Sequence, residues 1–134
     1  MSRHGIHRIC LPRAPRGLLR RRHRSHLRHV DFKRALKRAV MRDCGRRCVY
    51  CGAWLEHDHA TIDHVHPRAR GGITAYGNLV AACGPCNRLK GDMLPHDFFV
   101  RYPLAGMNFL LYARVVHRAL KRGARRAVSL ALAA

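Results

Sequence analysis

Apolar positions at Phe32, Ala35, Leu36, Ala39 and Val40 recur at i, i+3, i+4, i+7 and i+8, the spacing of one helix face. With Asp31 as N-cap, they predict a helix that ends near Gly45. Upstream, residues 1–29 mix Arg, His, Pro and Gly with no sustained apolar period. Such a stretch buries too little surface to offset the entropy of ordering, which predicts a flexible arm. Beyond residue 47 the pattern shortens. A β-branched run at 61–65 and an apolar run at 79–82 predict a hairpin whose connecting loop, with Pro67, Gly71, Gly72 and Gly77, is long enough to be functional. Pro85 opens a short helix that Gly91 stops after Lys90, and Pro95 opens another through Phe98 and Phe99, closed by Pro103. Residues 107–121 predict a last helix, its face of Met107, Leu110, Leu111, Val115 and Ala119 packed on the domain and Arg114, Arg118 and Lys121 turned outward. The resulting order is a basic arm at 1–29, an α+β domain with a leading helix at 30–103, and a basic helical segment at 104–134.

Charge narrows the partners. The chain has 134 residues, with 27 Lys and Arg against seven Asp and Glu, a formal net charge of +20. Residues 1–42 hold 14 of the basic residues against one Asp, net +13, and no acid follows Asp97. A field of this size points to a polyanion, and nucleic acid is the expected partner. No apolar run approaches the roughly 20 residues of a bilayer span, so no membrane partner is expected. Arg3, Arg8, Arg13, Arg16 and Arg20 interrupt the region where an export signal would need its apolar stretch. The expected location is the cytoplasm, at the nucleoid if the source is bacterial, with the cysteines reduced.

Four of the six cysteines form two C-x-x-C pairs, Cys48 with Cys51 and Cys83 with Cys86, the spacing at which adjacent thiolates chelate one tetrahedral ion. Residues 43–95 look too few to hold together on an apolar core, since below about 70–80 residues a core supplies only about 3–5 kcal/mol. A structural Zn²⁺ on these four thiolates is therefore expected. Cys44 competes weakly with Cys48, and Cys10 lies in the arm. Tyr50 and Trp54 are expected to pack in the core beside the zinc.

Between the pairs lie Asp63 and His64 in Ala-Thr-Ile-Asp-His-Val-His-Pro-Arg-Ala-Arg-Gly-Gly, then Asn78-Leu79-Val80, then Cys86-Asn87-Arg88-Leu89-Lys90-Gly91. An Asp-His pair leaving a strand, a Pro and a Gly-Gly in the following loop, a central Asn and an Asn opening a helix strongly resemble the HNH endonuclease family, in its zinc-stapled branch. The likeness spans residues 48–92. It implies a small ββα-metal (His-Me finger) core, here an α+β fold stapled by the four-cysteine zinc site and flanked by an N-terminal and a C-terminal helix. It also implies hydrolysis of DNA phosphodiesters with one divalent ion, leaving a 5′-phosphate and a 3′-hydroxyl. By position, His64 corresponds to the general base, Asp63 and Asn87 to the oxygen ligands of that ion, and Asn78 to the residue that fixes the loop and orients the base. Oxygen ligands favour Mg²⁺ or Mn²⁺ over zinc. The third position is Asn87 where the family name implies a His, a departure known within the family. Arg68, Arg70, Arg88 and Lys90 are candidate phosphate contacts, as are Arg114, Arg118 and Lys121.

A noncatalytic zinc-ribbon binder of ribosomal or RNA-binding type would share the size, the charge and the cysteines. The series Asp63-His64, Asn78 and Asn87 separates the two readings, because a structural ribbon has no use for it. Recruitment of the nuclease module by a protein or an RNA is a third reading. Whether the enzyme nicks or cuts both strands, and its oligomeric state, are left open by the sequence.

Overall fold

A computed structural model describes residues 16–134, with side chains described from residue 26 onward. The chain divides into two compact units, Met1–Phe32 and Lys33–Ala134. Helix α1 spans Arg16–Asp43 and so runs across that boundary. It ends as expected, with Gly45 in the left-handed region at φ 62°. It begins 15 residues before Asp31. Of the arm expected over 1–29, residues 1–15, including Cys10, lie outside the described residues, and the rest is helix. The physical reason is propagation: Arg and Leu are good helix formers, and each residue added to an existing helix gains a hydrogen bond without a new nucleation step. Leu36, Val40 and Met41 bring its last turns into the core, and Cys44 joins them just past its end.

In the second unit, strand β1 (Ala60–His64) pairs antiparallel with β2 (Leu79–Cys83), in a register that sets Ala60 opposite Cys83 and His64 opposite Leu79. Helix α2 (Gly84–Lys90) follows β2 directly, with Pro85 in its first turn and Gly91 as its stop. Helix α3 (Pro95–Arg101) leads into α4 (Pro103–Tyr112). The hairpin, the short helices and their proline and glycine punctuation thus stand where the sequence pattern puts them.

The core is wider than residues 43–95. Val49, Val65, Val80 and Ala81 of the hairpin region share it with Val40, Phe98, Phe99, Phe109 and Val128 from the flanking helices. Tyr50 stacks in its centre, 5.2 Å from Phe98 and 6.4 Å from Phe109 between ring centroids. The apolar support expected from zinc alone is supplied in large part by these helices. Trp54, expected in the core, is 56% exposed. Its indole N–H donates to Glu56 (3.1 Å), and the Arg46 and Arg47 guanidinium groups lie 5.4 and 5.8 Å from the ring centre. Tyr50 and three Phe rings fill the interior instead.

The C-terminal segment departs most from expectation. The helix expected over 107–121 is two helices, α4 and α5 (Arg118–Ala133), broken at 113–117. The backbone turns at Ala113, and His117 then caps α5, its Nδ1 accepting from the Ala119 N–H at 3.3 Å. Ala105, Phe109, Ala113 and Val116 face inward, whereas Met107, Leu111, Val115 and Ala119 are exposed. Phe109 decides the rotation of α4: its ring meets Phe99 at 4.9 Å, a larger apolar contact than Met107 offers. Gly106 lets α5 close on α4, since a Cβ there would overlap the Val128 side chain.

Candidate active site

The two cysteine pairs are brought together by unrelated local structures. Cys48 and Cys51 sit on a turn closed by Gly52 N–H to Cys48 O (2.8 Å) and Cys48 N–H to Ala53 O (2.8 Å). Cys83 ends β2 and caps α2, its sulfur accepting from the Cys86 N–H at 3.4 Å. The four sulfurs lie within 4.8 Å of one another. Cys51 and Cys83 are 3.9 Å apart, close to the about 3.8 Å that a tetrahedron with Zn–S bonds of about 2.3 Å requires. Burial raises the Cys48 thiol, but backbone N–H groups of Cys83, Cys51 and Tyr50 outweigh it and the net shift is downward. Cys51 and Cys86 are pushed up, by burial first. Four thiols so crowded favour their charged forms only around a cation, so the set fits a metal such as zinc.

Asp63 and His64 adjoin on a strand, where alternation would send them to opposite faces. The strand stops at His64, and a cleft of about 270 Å³ wraps its end. Asp63, His64 and Asn87 all line that cleft, with Arg68 and Asp92 at its wall. Asp63 is buried, and its Oδ2 accepts from the Tyr50 hydroxyl (2.6 Å) and the Lys90 ammonium (3.1 Å). Burial and the neighbouring Asp63 charge hold Tyr50 well above its usual range, so it stays a donor. Each carboxylate oxygen has two acceptor directions. Oδ1, whose nearest donor is Lys90 at 3.5 Å, keeps capacity for a cation.

Asn87 opens toward the cleft from α2. Its Nδ2 donates to Thr61 Oγ1 (3.0 Å), and Thr61 in turn donates to Ala82 O (2.8 Å). This relay fixes the amide, and among the described residues no hydrogen bond occupies its oxygen. Asn78 is buried in the loop between the strands and clamps it: Oδ1 accepts from His66 N–H (2.8 Å), and Nδ2 donates to His66 O (3.0 Å) and Ile73 O (2.9 Å). His64 is half-buried, and desolvation lowers its pKa from 6.5, only partly opposed by Asp63. The imidazole is therefore neutral at pH 7, the form a general base needs.

The candidate phosphate contacts separate. Arg68 reaches the cleft, and Arg70 and Arg88 are exposed on the turn and helix that flank it. Lys90 is a correction. It is 1% exposed, paired to Asp63 and donating to His64 O at 2.9 Å, so it serves as the internal counter-ion of the site and not as a surface phosphate contact. Arg114, Arg118 and Lys121 gather with Arg122 and Arg125 around a second concavity of about 670 Å³ on the turn and first coils of α5. Sequence reasoning missed Tyr50 and Thr61 as partners of the site. A tyrosine two positions past a cysteine and a threonine two before Asp63 carry no local signal of that role.

A strand hairpin leading into a short helix, with Asp-His at the strand end, Asn at the helix start and a four-cysteine staple across both, is the ββα-metal class of fold. Residues 48–93, a third of the chain, match the HNH endonuclease family. Two curated relatives are similar over the same region: the CRISPR-associated endonuclease Cas9 of Corynebacterium diphtheriae, 40% identical over 47 residues, and that of Actinomyces naeslundii, 41% identical over 49 residues. The aligned regions cover 34% and 36% of this chain and 4% of each relative. Among solved structures, the Type II-C Cas9 enzyme from Actinomyces naeslundii superposes with a TM-score of 0.53 at 20% identity, over 85% of this chain and 14% of that one. That likeness is one of fold. It extends well beyond the matched segment.

Proposed function

We propose that the protein is a metal-dependent endonuclease that hydrolyses DNA phosphodiester bonds. The observation that carries this reading is the convergence of Asp63, His64 and Asn87 on one cleft, each held by its own hydrogen-bond partners. His64, neutral and fixed at the strand end, takes the proton of the attacking water. Asp63 and Asn87 would hold a divalent cation, Mg²⁺ or Mn²⁺, which would neutralise phosphate charge and stabilise the departing 3′ oxygen. Attack by water at phosphorus then leaves a 5′-phosphate and a 3′-hydroxyl. Lys90 offsets the Asp63 charge from the buried side and leaves the cleft side to the cation. The second metal, zinc, is structural, on Cys48, Cys51, Cys83 and Cys86.

DNA is the proposed substrate because the chain carries +20 and the relatives named above are endonucleases. Arg68, Arg70 and Arg88 hold phosphates beside the cleft, and Arg114, Arg118 and Lys121 hold the duplex further out. Incubation with supercoiled plasmid tests the reading. Conversion to nicked or linear DNA is expected in Mg²⁺ and not in excess chelator, with Asp63→Ala and Asn87→Ala needing more Mg²⁺. Binding without any cleavage, in every divalent metal tried, would leave the noncatalytic zinc-ribbon reading.

A further inference from the structure

His64 has one side-chain partner that neither the motif nor the cleft accounts for: its Nε2 lies 2.8 Å from the Thr74 hydroxyl, ten residues on and across the loop. We propose that Thr74 is a positioning residue for His64, accepting a hydrogen bond from Nε2–H so that Nδ1 is the bare nitrogen presented to the cleft. The inference rests on the reading of His64 as general base. A base that takes a proton at Nδ1 must carry its own proton at Nε2, and Thr74 Oγ1 is the acceptor in reach.

The contact is set from both ends by the same residue. Val65, next to His64, donates its N–H to Asn78 O (2.9 Å), and Ile73, next to Thr74, gives its carbonyl to Asn78 Nδ2 (2.9 Å). Asn78 thus fixes the backbone on each side of the imidazole–hydroxyl pair. Gly72 completes the approach, since a Cβ there would overlap the His66 carbonyl oxygen and push the loop outward. Thr74 itself is exposed, so its side chain contributes little to the core and its hydroxyl is the group that matters. The loop between the strands acts through this one bond: Asn78 holds Thr74, and Thr74 holds the ring.

The test compares Thr74→Val, which keeps the shape and removes the acceptor, with Thr74→Ser, which keeps the acceptor. A neutral hydrogen bond contributes about 1 kcal/mol, so Thr74→Val should lower kcat about fivefold with KM unchanged, and Thr74→Ser should restore it. A second readout needs no turnover: the ¹⁵N spectrum of the His64 ring at fixed pH. The parent and Thr74→Ser should show the proton on Nε2 and a bare Nδ1, and Thr74→Val should lose that fixed state. Ring signals and kcat unchanged in Thr74→Val would overturn the proposal, as would a parent ring protonated on Nδ1. If the spectra change as expected while no variant or parent cuts DNA, the positioning contact stands and the nuclease reading falls.

Discussion

The cleft at the end of β1 and the basic concavity at the start of α5 are both polar, but they are built on opposite principles. In the cleft, Asp63 meets Tyr50 and Lys90, Asn87 meets Thr61, and His64 meets Thr74, all at 2.6–3.1 Å. Around the second concavity, Arg114, Arg118, Lys121, Arg122 and Arg125 collect, and among the described residues none of them is in an ion pair. Burial first, and then the Arg125 charge, lower the Lys121 pKa. A network whose members are each satisfied fixes atoms in place, as bond rearrangement requires. A cluster of unpaired cations attracts a polyanion without placing any one atom. Under the proposed function the contrast amounts to a division of labour, in which the cleft would cut and the concavity would grip.

Four sets of substitutions probe that division. The largest effect is expected from Cys83→Ser, which should release the zinc and cost several kcal/mol, part of the about 10–16 kcal/mol apparent binding energy of structural zinc in peptides. Because the aromatic core runs through α3 and α4, with Ala124, Ala127 and Val128 of α5 buried in the same core, hydrogen exchange should show the cysteine turn and hairpin opening first. Uniform collapse would show that the helices have no stability of their own. Lys90→Met comes next. Removing one partner of a buried ion pair costs about 3–5 kcal/mol, so denaturant unfolding should register a loss of that order. Unchanged stability with a flatter salt dependence of DNA binding would instead make Lys90 a phosphate contact.

Joint replacement of Arg114, Arg118 and Lys121 by Ala should leave stability nearly intact and change affinity. With about −0.9 per neutralised phosphate in the slope of log affinity against log salt, the slope should flatten by about 2–3, while the rate at saturating protein stays as it was. A fall in that saturated rate would mean the concavity helps to place the scissile bond. Thr61→Val has the smallest expected effect. It frees the Asn87 amide to turn, and a lost partner behind a metal ligand weakens metal binding about 10- to 100-fold, read as a higher Mg²⁺ requirement at unchanged maximal rate.

What the sequence disclosed divides along similar lines. The hairpin, α2 and α3 were legible because prolines, glycines and β-branched runs act within a few residues of themselves. The four cysteines and the Asp63, His64, Asn78 and Asn87 series were legible because each is a motif of fixed spacing. The break at 113–117 was not, because the pattern from Met107 to Ala119 fits one continuous helix and only the contact of Phe109 with Phe99 turns α4 the other way. Lys90 reads as a surface cation next to Arg88 until Asp63, 27 residues earlier, is found beside it. Trp54 reads as core until Tyr50 and the Phe rings are seen to have filled the space. Each of these depends on a partner far along the chain.

That the cleft cuts can be decided by single-turnover cleavage of a DNA duplex in Mg²⁺ at saturating protein, parent against His64→Ala. Removal of a general base lowers rates by about 10²–10⁴, and a loss in that range is expected with DNA affinity unchanged. Equal rates for parent and His64→Ala would contradict it.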